Sequence, residues 1–97
     1  MSEILSPADK TEALAALHGW AEAKDRNAIQ KTFTFADFNA AFAFMTRAAM
    51  KAEKMDHHPE WFNVYNRVEV TLATHSAAGV TGKDITLAKA MDSYAGS

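Results

Sequence analysis

Hydrophobic and polar positions alternate in two parts of this 97-residue chain and recur at helical spacing in three others. Ser6-Pro7-Ala8-Asp9 reads as a helix start, with Ser6 as cap, Pro7 at the first helical position and Asp9 three residues after the cap. Ala13, Leu14 and Leu17 then fall on one face and Gly19 offers a left-handed stop, which predicts a helix over about residues 7–17. Trp20 to Ala23 looks extended, and Lys24-Asp25-Arg26-Asn27 is a polar turn. From Ile29 to Phe35 the alternation is clear: Ile29, Phe33 and Phe35 share a side, interrupted by Lys31, while Gln30, Thr32 and Thr34 take the other. These segments predict a β-hairpin with one buried face.

Asp37-Phe38-Asn39 opens the longest helix, on which Phe38, Ala41, Phe42, Met45, Ala48, Ala49 and Ala52 follow the three-and-four spacing of one stripe. It should run about 18 residues, or ~27 Å, to a pair of histidines. Phe44, Met50 and several alanines lie off that stripe. Either a partner subunit covers a second apolar strip, or the alanines merely favour helix. Beyond Pro59, Trp61 to Tyr65 reads as a short strand and Asn66-Arg67 as a turn. Val68 to Thr74 alternates strongly, with Val68, Val70 and Leu72 facing a core and Glu69, Thr71 and Ala73 facing away; His75 follows the outer parity. Ser76 to Val80 is a flexible connection. Thr81-Gly82-Lys83-Asp84 starts a last helix that places Ile85, Ala88 and Met91 on its apolar side and ends near Tyr94. The order α-β-β-α-β-β-α predicts an α+β fold in which a four-stranded antiparallel sheet carries three helices on one face, in a single domain over residues 1–97.

Composition narrows the function. A hydrophobic content of 48% is enough to bury a core without covalent staples, and the absence of cysteine removes disulfides, thiol nucleophiles and thiolate metal sites. The net charge is −2 with both signs scattered, so there is no basic face to engage nucleic acid or an anionic membrane. Met1-Ser2-Glu3-Ile4-Leu5 lacks a basic n-region and an apolar h-region, and no run approaches the ~20 apolar residues of a membrane span. The expectation is a soluble cytoplasmic protein.

The chemistry concentrates in Glu53-Lys54-Met55-Asp56-His57-His58-Pro59-Glu60, where two of the four histidines stand together among carboxylates. An imidazole gives or takes a proton near neutral pH without extreme tuning. Pro59 disfavours helix at His58, so the helix should end near His57 and the two rings should diverge. Glu53, one turn back, would then reach His57. A solvated helix end of ordinary composition is the bland alternative. His57, His58 and His75 each end or follow a regular element, so all three could gather at one sheet edge with Glu53, Asp56 and Asp84. Such a set suits a zinc or iron site, or metal-free general acid–base catalysis. Adjacent histidines diverge and HExxH is absent, which favours the second. Asp84 could fix His75, or could serve only the Thr81 cap. Trp61, Phe62 and Trp20 could wall a pocket but fit a core at least as well, and His18 fits a helix C-terminus.

Glu53, three residues, His57-His58-Pro59, five residues, Tyr65, nine residues, His75, eight residues, Asp84 resembles the signature of the pterin-4a-carbinolamine dehydratases, also known as dimerisation cofactors of a homeodomain transcription factor. The run from Asp56 to Asn66 is similar to that family at nearly every position, as are Gly19-Trp20, Phe38-Asn39, Phe42 and Phe44-Met45-Thr46-Arg47, so the likeness extends from about Gly19 to Ala88. The resemblance implies dehydration of 4a-hydroxytetrahydrobiopterin or a related pterin to quinonoid dihydropterin, which recycles the pterin of aromatic amino acid hydroxylases with no metal or organic cofactor. It implies that His57, His58 and His75 are the acid–base set, with Glu53 and Asp84 in support. Asp56, Ala73, Thr74 and Ser76 would contact the heterocycle together with the histidines. It also implies a homodimer or homotetramer formed through sheet edges and the long helix. A non-catalytic module that binds a transcription regulator is the competing class.

Overall fold

The computed structural model describes residues 3–96 as α1 (Pro7–Ala15), β1 (Ala21–Glu22), β2 (Ile29–Thr34), α2 (Phe38–Met55), β3 (Glu60–Val64), β4 (Arg67–Leu72) and α3 (Gly82–Gly96). Met1, Ser2 and Ser97, the ends of the expected 1–97 domain, lie outside the described residues. The four strands form one antiparallel sheet in the order β1-β2-β4-β3. Its central pair is in the register that the alternation requires, with Phe33 opposite Val68 and Ile29 opposite Leu72. Ile29, Phe33, Val68, Val70 and Leu72 are buried on one side, whereas Gln30, Thr32, Thr34 and Glu69 stay exposed on the other. The predicted α+β architecture is the one observed.

The helices cover the buried face. Ser6 caps α1 by accepting from Asp9 N–H, and Asp37 caps α2 by accepting from Ala40 N–H. Helix α1 ends at Ala15, two residues short of expectation; Gly19 still turns left-handed, at φ 79°, in the loop beyond. The core face of α2 is Ala41, Phe44, Ala48 and Ala52. That corrects the stripe read from the sequence, because Phe38 and Phe42 are about half exposed and Ala49 is exposed, while Phe44 is inside. Phe44 packs against Phe33 and Phe35 at ring-centroid separations of 4.7 and 5.0 Å. A helix with apolar residues on two sides offers two stripes, and only Phe33 on β2 and Phe35 just beyond it select the inner one.

Boundaries shift slightly in the second hairpin. Its turn is Tyr65-Asn66, with Tyr65 at φ 49°, and β4 ends at Leu72 rather than Thr74. The Ser76–Val80 connection is closed, not loose: Thr74 N–H donates to Gly79 carbonyl at 2.8 Å, and Gly79 N–H returns a longer bond at 3.3 Å. Trp20 is buried and donates its indole N–H to Asp92, which fits the core reading. Phe62 is 59% exposed and belongs to no core. His18 is exposed, and its carbonyl accepts from Lys31. Among the described residues no helix is long and apolar enough to cross a membrane.

Candidate functional site

Strand register decides what meets at one end of the sheet. β2 begins at Ile29 opposite Leu72, where β4 ends, and β3 begins at Glu60 opposite Thr71. The β1–β2 turn, the α2–β3 connection and the segment after β4 therefore leave the sheet at the same end. Helix α2 stops there and α3 starts there.

The stop in α2 separates the two adjacent histidines. Asp56 takes a left-handed conformation at φ 52°, and His57 N–H reaches back to Ala52 carbonyl at 3.0 Å, closing the helix five residues back. The chain reverses at that point, so His57 goes in, 7% exposed, while the side chain of His58 stays 58% exposed. The rings diverge as Pro59 predicts. Because the helix ends at Met55, the expected contact between Glu53 and His57 does not form. Glu53 Oε1 instead lies 2.8 Å from His58 Nε2.

His57 is held by Asp84, whose Oδ1 is 2.6 Å from Nε2. Asp84 has no exposed surface, and its other oxygen accepts from Thr81 N–H at 2.9 Å and from the Thr74 hydroxyl at 2.8 Å. Since the Thr74 proton goes to Asp84, the 2.7 Å contact between the two threonine hydroxyls must be donated by Thr81. Asp84 therefore caps α3 and orients an imidazole with the same carboxylate; the two sequence readings were not alternatives. The imidazole is His57, however, and not His75. Among the described residues no buried side-chain nitrogen or oxygen lacks a partner.

His75, just past β4, turns its Nε2 to Glu60 Oε2 at 2.8 Å. Arg26 holds the same carboxylate with both guanidinium nitrogens, at 2.7 and 2.9 Å. The hydrogen bond from Arg26, then that from His75, brings the Glu60 carboxyl down to about 2. The hydrogen bond to Glu60, and then the Glu60 charge, in turn raise Arg26 above its ordinary value.

A cavity of about 190 Å³ lies between these groups, lined by Asp56, His57, His58, Ala73, Thr74, His75, Ser76 and Lys83. All seven residues expected to touch a heterocycle are on its wall. Glu53 and Asp84 stand behind His58 and His57. Three residues escaped sequence reasoning: Lys83, which was read only as part of a helix cap, Glu60, which directly follows the proline, and Arg26, which was read only as part of a polar turn. A larger groove of about 630 Å³ runs along β2 past His18, Lys31 and Asp92. Its Lys31 and Asp92 pair with each other at 2.8 Å, whereas the smaller cavity gathers three imidazoles. Among the described residues there is no group of three or more His, Asp or Glu arranged to hold a metal ion.

The family model described as pterin 4 alpha carbinolamine dehydratase matches residues 3–94. The chain belongs to that family. A provisionally named pterin-4-alpha-carbinolamine dehydratase of Paraburkholderia xenovorans (strain LB400) is 61% identical over 93 residues, covering 96% of this chain and 97% of the relative. Another so named, from Bradyrhizobium sp. (strain ORS 278), is 62% identical over 95 residues, covering 98% and 95%. The crystal structure of a transcriptional coactivator/pterin dehydratase from Brucella melitensis superposes with a TM-score of 0.96 at 55% identity, covering 97% of this chain and all of that one. A pterin dehydratase-like RuBisCO assembly factor of the alpha-carboxysome superposes with a TM-score of 0.70 at 25% identity, covering 82% and 93%. The fold thus serves relatives named for a reaction and relatives named for transcriptional coactivation or RuBisCO assembly.

Proposed function

We propose that the chain is a cytoplasmic dehydratase that converts 4a-hydroxytetrahydropterin to quinonoid dihydropterin and water by histidine general acid–base catalysis, without metal or organic cofactor. The observation that carries this reading is one cavity lined by three imidazoles, each with Nε2 against a carboxylate. An ionised carboxylate only accepts, so Nε2 carries the proton and Nδ1 is the nitrogen that can meet a substrate. Breaking the C4a–O bond needs a proton on the departing hydroxyl, and the quinonoid ring forms as N5 loses its proton. One protonated imidazole supplies the first and one neutral imidazole takes the second, so the proton count of the protein is unchanged at the end of the cycle. Asp56 and Ser76 offer polar groups to the ring edge, Thr74 contributes to the wall, and Ala73 leaves room for the ring. Lys83 adds a positive charge to the cavity wall, suited to a carbonyl oxygen of the pyrimidinone.

The test is turnover of a 4a-hydroxytetrahydropterin prepared by an aromatic amino acid hydroxylase. Acceleration over spontaneous dehydration is expected, and a rate indistinguishable from the spontaneous one would refute the reading. A second reading rests on another observation. Phe42, Met45, Thr46, Ala49, Met50 and Trp61 line an apolar groove of about 270 Å³ on the outer side of α2, with Phe42 and Met50 more than half exposed. We propose that a second copy of this chain covers it in a dimer or tetramer. A transcription regulator is the competing occupant. Sedimentation of the purified chain as a monomer would remove the self-association reading.

A further inference from the structure

His75 is the least supported of the three imidazoles. Its side chain is 68% exposed, and it stands in the turn that leads into the Ser76–Val80 connection rather than in a strand. The group that fixes its ring comes from elsewhere: Glu60, the first residue of β3, whose partner Thr71 stands four positions before His75. Glu60 is itself fixed from a third place. Arg26 belongs to the β1–β2 turn, which Ala23 N–H closes onto Ala28 carbonyl at 2.8 Å, and its fork spans both carboxylate oxygens. Arginine suits this use because its planar donors match a carboxylate, so the pair has one geometry and not a range.

We propose that Arg26 and Glu60 are positioning residues that hold His75 in the Nε2–H tautomer and turn its Nδ1 to the cavity. The guanidinium supplies the orientation and keeps Glu60 ionised, since its carboxyl sits at about 2. An ionised carboxylate cannot donate, so the 2.8 Å contact must be donated by Nε2–H. The neutral ring then has its lone pair on Nδ1. Neither Arg26 nor Glu60 belongs to the cavity wall, and both act only through His75. The tautomer follows from the 2.8 Å contact and the charge on Glu60, whereas its catalytic consequence rests on the acid–base reading of the site.

The experiment pairs a spectroscopic signature with kinetics on the intact chain. Nitrogen-15 NMR of the histidine rings, recorded above the imidazole titration range, should show wild-type His75 protonated at Nε2 and bare at Nδ1. Glu60→Gln offers both a donor and an acceptor, so it should give a mixture of tautomers, with kcat lowered about tenfold to a hundredfold and KM within about twofold. Arg26→Gln should mimic part of that loss, and Arg26→Lys should restore some of it by returning the charge without the fork. Wild-type His75 protonated at Nδ1 would overturn the proposal. So would an unchanged tautomer in Glu60→Gln accompanied by the fall in kcat. If the wild type dehydrates no pterin, the proposed function fails, and the NMR arms alone then decide the positioning pair.

Discussion

Asp84 separates the fold from the chemistry through two substitutions. In Asp84→Ala, Thr81 N–H, the Thr74 hydroxyl and His57 Nε2–H all lose their acceptor in a site without exposed surface. Each buried donor left unpaired costs about 1–3 kcal/mol, so the three together remove about 3–6 kcal/mol after partial relaxation. The whole chain, at its size, has about 5–15 kcal/mol to lose. Asp84→Asn behaves differently. Its amide oxygen can still accept from Thr81 and Thr74, which turns the amide nitrogen toward His57. Two donors cannot face each other, so the ring must present a lone pair at Nε2 and move its proton to Nδ1. The stability cost then falls to about 1–2 kcal/mol, the difference between a charge-assisted and a neutral hydrogen bond. The catalytic nitrogen, however, is the wrong one, and kcat should fall by about a hundredfold to ten-thousandfold. Urea unfolding followed by tryptophan fluorescence measures the first effect, and pterin turnover the second. An Asp84→Asn protein as active as wild type would refute the reasoning, as would an alanine variant no less stable than the asparagine one.

Leu72 is fully buried opposite Ile29, so Leu72→Ala should cost about 2–5 kcal/mol and Leu72→Asp should abolish cooperative thermal unfolding; an unchanged Tm would mean the strand parity is wrong. His57→Ala and His58→Ala should each lower kcat substantially, but only the first, which strands buried Asp84, should also lower Tm; full activity in the double variant would end the catalytic assignment. The Glu60 carboxyl is lowered on folding from 4.5 to about 2, so its pairs stabilise the fold fully above pH 4.5 and that contribution is lost as the pH falls through about 2. Wild type should therefore exceed Glu60→Gln by about 1 kcal/mol at neutral pH, a modest figure because both partners are about 40% exposed, and the two denaturation curves should converge toward pH 2.

What sequence could supply depended on how local each determinant is. The strand parities came from alternation within single segments, and the caps at Ser6 and Thr81 from residues three apart. The set of cavity residues came mainly from family likeness. The partners of the histidines were a different matter. Glu53 was assigned to His57 by helical spacing, yet a single left-handed residue at Asp56 ends the helix and gives Glu53 to His58. Asp84 and His57 are 27 residues apart, and Glu60 and His75 are 15 apart, so each pairing is fixed by where strands and helices end in space. The inner stripe of α2 failed for a related reason, since Phe42 and Phe44 are equally apolar and only Phe33 and Phe35, from outside the helix, choose between them.

That non-locality ties the chemistry to the complete sheet. His57 is set only when the first turn of α3 has closed on Thr81, because the carboxylate that holds the ring is the one that caps the helix. His75 is set only when β3 has paired with β4 and the β1–β2 turn has come within reach of Glu60. His58 alone draws on a carboxylate from the helix that directly precedes it, and that pair is the most exposed: 58% for the His58 side chain and 81% for Glu53. A partly folded chain with α2 intact would therefore keep one imidazole–carboxylate pair of three, in solvent where the pair contributes little. Proton transfer in two directions needs at least two imidazoles with defined tautomers. On the proposed acid–base reading the site has no intermediate version: it comes into being when the register of the central strands is fixed, and Arg26 and Thr81, which are outside the cavity wall, belong to its construction.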